Sequence, residues 1–181
     1  MTAFNDMLYQ YDRAAGKRSS LRRAVAVLGI VCVAGAAMLL GGCAGDRASQ
    51  KSVDELIDSG LESLRVFNFK EAREPLHAAM DRLEPGEPQW ALATYSLALA
   101  TWHTSPAGPE NVKDATVLLE EVVRLAPESP YAPSALLDLG RIAEVSDFLG
   151  DPTDVEAARE YYQRVRSDFS NTDMSARATL Y

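Results

Sequence analysis

The sequence predicts an all-α protein: helix–turn–helix pairs stacked as a repeat domain behind an N-terminal signal or anchor helix. Three observations predict it. From residue 52 onward apolar side chains recur at spacings of three and four, and no stretch alternates as a strand does. Pro85, Pro88, Pro106, Pro109, Pro127, Pro130 and Pro152 fall between those stretches, where they stop or start helices. Residues 24–42 (AVAVLGIVCVAGAAMLLGG) carry no charge over 19 positions, close to the length that crosses a hydrocarbon core as a helix.

The N-terminal segment sets the expected address. Arg22 and Arg23 stand directly before the apolar run, with Lys17 and Arg18 a little earlier. Basic residues stay on the cytoplasmic side, so the C-terminal domain is expected to be exported. A basic n-region (1–23) and an apolar h-region (24–42) ending in small residues have the layout of a signal peptide. Arg22-Arg23 would also suit twin-arginine export, but Val25 and Ala26 stand where that motif favours phenylalanine and leucine.

The end of the run is more specific. Leu40, Gly41, Gly42 and Cys43 place a branched apolar residue and two small ones before a cysteine. This resembles the lipobox of bacterial lipoproteins. The resemblance implies signal-peptidase recognition at Leu40, Gly41 and Gly42, a diacylglycerol on the Cys43 thiol, and acylation of the new amine with a chain such as palmitate. Several acyl chains anchor firmly where one is marginal. Ala44 follows the cysteine in place of the aspartate that marks inner-membrane retention in enterobacteria, which favours the outer membrane, periplasmic side. The competing expectation is an uncut single-pass inner-membrane anchor of the YfgM type, with a periplasmic repeat domain assisting the translocon; the long stretch before the apolar run fits it.

Residues 43–51 supply the lipidated cysteine and a short polar tether. Ser52 followed by Glu55 is a capping-box pattern. Helices are then expected at 52–66, 69–84, 88–103, 110–126, 131–147, 153–168 and 173–181. Seven helices of similar length call for a repeat search. Gly60, Ala72, Leu76, Ala79 and Pro85 give one pattern of small and large residues. Leu97, Ala98, Ala115, Leu119, Val122 and Pro127 give a second, and Leu136, Leu139, Gly140, Ala158, Tyr162 and Val165 a third. Small residues let paired helices approach, and the large residue fills the groove between them.

This pattern resembles the tetratricopeptide repeat, which implies a right-handed solenoid. The units are about 52–87, 88–128 and 129–171, with a partial unit at 172–181. The inner turns of the second and third units are longer than the family's, and such inserts map to loops. Residues 157–181, with Asp168-Phe169-Ser170-Asn171-Thr172 at the turn, resemble the repeats of envelope lipoproteins of the BamD and Tol-Pal-associated type.

Little in the chain points to catalysis. Without residues 1–42, 13 basic groups face 24 acidic ones, a balance that repels nucleic acid. Cys32 and Cys43 are the two cysteines, so no thiolate metal site or disulfide framework falls within 52–181. His77 and His103 stand outside any metalloprotease, nucleophile-elbow or phosphate-loop motif. Asp151, Asp154 and Glu156 crowd one loop, but without the spacing or glycine of an EF-hand. No catalytic residue, metal, cofactor or small-molecule substrate is expected. In the repeat family the first helix of each pair lines a concave groove. The resemblance therefore assigns partner binding to Leu92, Tyr95, Leu99 and Trp102 in one unit and to Leu137, Arg141 and Glu144 in the next. Core packing is the competing reading of Tyr95 and Trp102. The expected function is a non-catalytic, membrane-anchored envelope scaffold for a protein or peptide partner, in outer-membrane assembly or envelope maintenance.

Overall fold

Ser52 starts the first helix as its spacing predicts. Its backbone N–H donates to Glu55 Oε2 at 2.7 Å, and the Glu55 N–H donates back to Ser52 Oγ at 3.2 Å. This reciprocal pair satisfies two of the donors that a helix start leaves open. The computed structural model describes residues 51–145 and 153–181. They form seven helices: α1 (Val53–Arg65), α2 (Phe69–Met80), α3 (Pro88–Trp102), α4 (Pro109–Leu125), α5 (Ala132–Glu144), α6 (Val155–Asp168) and α7 (Asp173–Ala178). Among the described residues there is no strand.

The starts follow local chemistry. Pro88 and Pro109 open α3 and α4, where the missing N–H costs nothing. Asp154 Oδ1 caps α6 by accepting from the Ala157 N–H at 2.9 Å, and Thr172 Oγ1 caps α7 by accepting from the Ser175 N–H at 3.3 Å. In the long turn before α4, the Asn111 amide donates to the carbonyls of Thr104 and Pro106 at 3.0 and 3.2 Å. Three expected helices are shorter than their sequence suggests; the fifth ends at Glu144 rather than 147, with Val145 already extended. The second stops at Met80 rather than 84, in turns where the Arg82 and Leu83 N–H groups reach back only three residues. The last stops at Ala178 rather than 181.

Each helix packs on the one before and after it in sequence, α1 also touches α3, and α5 also touches α7. This is the neighbour-on-neighbour packing of a helical repeat, and Ser52–Tyr181 forms one compact unit. The repeated pattern lies inside it. Gly60, Ala72, Leu76 and Ala79 are buried, as are Ala98, Ala115, Leu119 and Val122, and Gly140, Ala158, Tyr162 and Val165. A Cβ placed on Gly60 would overlap the Leu76 side chain, and one on Gly140 would overlap the Tyr162 ring. The first and third hairpins therefore close by the same device, a large side chain of the second helix seated on a glycine of the first.

The C-terminal end has its own apolar cluster. Leu136, Leu137, Tyr162, Val165, Met174 and Ala178 pack together, and Arg166 donates to the Ala178 carbonyl at 2.8 Å. Among the described residues no helix is long and apolar enough to cross a membrane. The segment expected to be a signal peptide, with its apolar run, Leu40, Gly41, Gly42 and Cys43, lies outside the described residues, as does Asp151.

Candidate functional site

The expected groove falls on α3 and α5, and the structure divides its residues into two groups. Leu92, Tyr95, Leu99 and Leu137 are buried. Trp102 and Arg141 are partly buried, and Glu144 is exposed. Residues 90–101 of α3 are all buried, so this helix has no solvated face. It packs on α2 and α4 and touches α1, and Tyr95 reaches α5. A helix in that position presents no row of side chains to a ligand. The groove reading is thereby reduced, within the described unit, to Trp102, Arg141 and Glu144.

Tyr95 is built into a polar joint between hairpins. Its hydroxyl donates to Asp138 Oδ2 at 2.8 Å, and its ring stacks on Tyr131 with centroids 5.9 Å apart. Asp138 is as buried as Tyr95, and its other oxygen lies 3.7 Å from Arg141 Nη1. Burial pushes the Asp138 carboxyl up to about 6, against the opposing pull of the Tyr95 hydrogen bond and the Arg141 charge. Burial also raises Tyr95 well above the ordinary tyrosine range, and the Asp138 charge adds to it. The hydroxyl and the carboxyl satisfy each other in a closed site, which suits holding two hairpins in register. Sequence reasoning missed Asp138. The signal was an aspartate inside an apolar helix (ALLDLG), three residues before an arginine. Glu144 is likewise engaged, accepting from the Tyr162 hydroxyl at 2.9 Å.

Trp102 belongs to a different feature. Its ring stacks on His103 at 4.8 Å, His103 lies 5.2 Å from Phe69, and Phe69 meets Phe67 edge-on at 6.2 Å. The ladder of four rings runs from the end of α3 to the turn between α1 and α2. That turn is unusual. The Asn68 N–H donates to the Ser63 carbonyl and the Phe67 N–H to the Leu64 carbonyl, the paired bonds of a Schellman helix end. The residue that must turn left-handed there is ordinarily glycine. Here it is Phe67, at φ 57°. A side chain in that region costs about 1–2 kcal/mol. The ring gains little burial in return, being 53% exposed, and the neighbouring Val66 is 65% exposed.

His77 is exposed, with Nδ1 2.9 Å from Asp81 Oδ2. His103 follows the end of α3. Asp154 serves as a helix cap and Glu156 pairs with Arg159 at 2.7 Å, so both have structural work of their own. Among the described residues no group of three or more histidine, cysteine or acidic side chains could hold a metal ion. A cleft of about 660 Å³ also opens between α2 and α4, lined by Lys70, Arg73, Met80, Leu97, Val117 and Leu118. Comparison with protein-family models, with curated proteins and with solved structures finds no match.

Proposed function

We propose that the protein is a non-catalytic envelope scaffold: a lipoprotein anchored through Cys43 whose tetratricopeptide-like hairpins bind a protein or peptide partner. The observation that carries this reading is the recurring seat of a large side chain on a glycine, Leu76 on Gly60 and Tyr162 on Gly140. That device is what the repeat pattern requires, and stacked hairpins serve to present surface rather than to gather reactive groups. The right-handed solenoid, the envelope-lipoprotein likeness and the exported position belong to the same proposal, with the lipobox-like Leu40 to Cys43 as their support. Trp102, Arg141 and Glu144 are the groove residues left within a partner's reach. Tryptophan and arginine are the types that dominate interface energies.

The test is site-specific photo-crosslinking in intact cells. A photoreactive residue at 102 or 141 is expected to give a discrete protein adduct that the same residue at the exposed position 117 does not. Identical patterns from all three positions would sink the groove.

A further inference from the structure

We propose that the cleft between α2 and α4 receives a tyrosine side chain from a peptide partner, in the place that Tyr161 takes one repeat further along the chain. The inference rests on how the hairpins repeat. It needs neither the lipid anchor nor the groove residues Trp102, Arg141 and Glu144, none of which line the cleft. A crosslink from position 117 therefore reports the cleft and not that groove.

The second helices of the hairpins repeat at a fixed interval. Ala72, Ala115 and Ala158 stand 43 residues apart, as do Leu76, Leu119 and Tyr162, and Ala79, Val122 and Val165. All are buried, so α2, α4 and α6 turn the same positions inward. The residues beside that inward row then correspond as well. Leu118 of α4 corresponds to Tyr161 of α6, and His77 of α2 to Glu120 of α4. Tyr161 joins its helix to the one before. With Val123 of α4 it packs, partly buried, against the C-terminal cluster, and its hydroxyl interacts with the Glu120 carboxylate. Burial raises that hydroxyl above the ordinary tyrosine range, and the Glu120 charge adds to it.

Between α2 and α4 the chain supplies no such ring. Leu118 stands where Tyr161 does, without the phenol, and at that place the cleft of about 660 Å³ opens. Leu118 is on one wall and His77 on the other, over the buried Leu97 and Thr101 of α3. The size falls in the range of ligand pockets. Val117, 49% exposed, adds an apolar lip. The rim charges balance, with Lys70 and Arg73 against Glu74 and Asp114, so selection falls to the ring and its hydroxyl. His77 supplies the acceptor that Glu120 supplies one repeat on. Its Nδ1 lies 2.9 Å from Asp81 Oδ2, which places the proton of the neutral ring on Nδ1 and leaves Nε2 to accept from a phenol. An apolar slot with one acceptor is the complement of a tyrosine.

The test uses N-acetyltyrosinamide, a tyrosine side chain on a minimal peptide backbone. The full chain, in detergent, carries labelled leucine, valine and methionine methyl groups. The expected result is saturable NMR shifts at Met80, Leu97, Val117 and Leu118. The Kd should lie about fivefold below that of N-acetylphenylalaninamide, the worth of one neutral hydrogen bond. That preference should vanish in H77L. L118Y fills the cleft from within, so it should lose the shifts and melt no lower than the parent. Y161L should gain a second site, read at Val123, which tests the equivalence even where L118Y fails to fold. No saturable shift in the parent would overturn the proposal. So would a folded L118Y that still binds, a Y161L chain with no second site, or equal affinity for N-acetylleucinamide. Shifts at the same methyl groups that grow with protein concentration alone would assign the cleft to a second copy of the chain instead.

Discussion

Leu76 of α2 sits on Gly60 of α1 so closely that no Cβ fits between them. The same fit recurs between Tyr162 of α6 and Gly140 of α5. Sixteen residues separate the first pair and 22 the second. The longer turn before α6 takes up the difference, so the packing device is kept while the loop varies. A hairpin closed in this way gains dispersion contacts along both helices, and it is sensitive to a single added methyl group.

Gly60→Ala should therefore destabilise the protein by about 1–3 kcal/mol, the cost of overpacking, even though alanine is intrinsically the better helix former. Leu76→Ala should cost about 2–5 kcal/mol as a cavity. The double variant should lose less than the sum, because the shortened side chain makes room for the new methyl. Denaturant unfolding of the four proteins measures the coupling. Strict additivity would mean that the two residues do not touch.

Asp138 gives a pH prediction. Its folded value near 6 lies above its ordinary value of 3.8, so the protonated form is the one that folding favours. The resulting stability is fully present below about pH 4 and is lost as pH rises through about 6. Its size is roughly 3 kcal/mol, from the shift at 1.36 kcal/mol per unit. Asp138→Asn keeps an acceptor for Tyr95 and removes the titration. Between pH 4 and 6, parent stability should fall relative to that of D138N, and the difference should flatten above pH 7. A constant difference across the range would show that the carboxyl does not titrate in its buried site.

Phe67→Gly should raise stability by about 1 kcal/mol, because glycine adopts the left-handed conformation without strain. Phe67→Ala keeps the strain and loses the ring, so it should not share the gain. Thermal melts of both variants decide this. A loss of stability in F67G would mean that the ring holds the α1–α2 turn together.

Helix packing was legible in the sequence because it is written as spacing. Gly60, Ala72, Leu76 and Ala79 fix which faces meet, and the structure buries all four. The groove was less legible. A helical period tells which side chains share a face, but not how many neighbours surround the helix. Leu92, Tyr95 and Leu99 share a face of α3, yet residues 90–101 are buried all round. Asp138 escaped notice because one buried acid needs its partner, Tyr95, 43 residues away, before its burial makes sense. The turn at Phe67 was hidden for a different reason. Asparagine tolerates left-handed backbone better than phenylalanine, so Asn68 is where the chain would be expected to turn, one residue late.

The claim on which the account depends is that Cys43 carries lipid. Intact mass spectrometry of the protein extracted from membranes tests it directly. The predicted result is a chain that begins at Cys43, with residues 1–42 removed and the added mass of a diacylglycerol, further acylated on the new amine. A full-length chain retaining residues 1–42, with no added lipid mass, would contradict it.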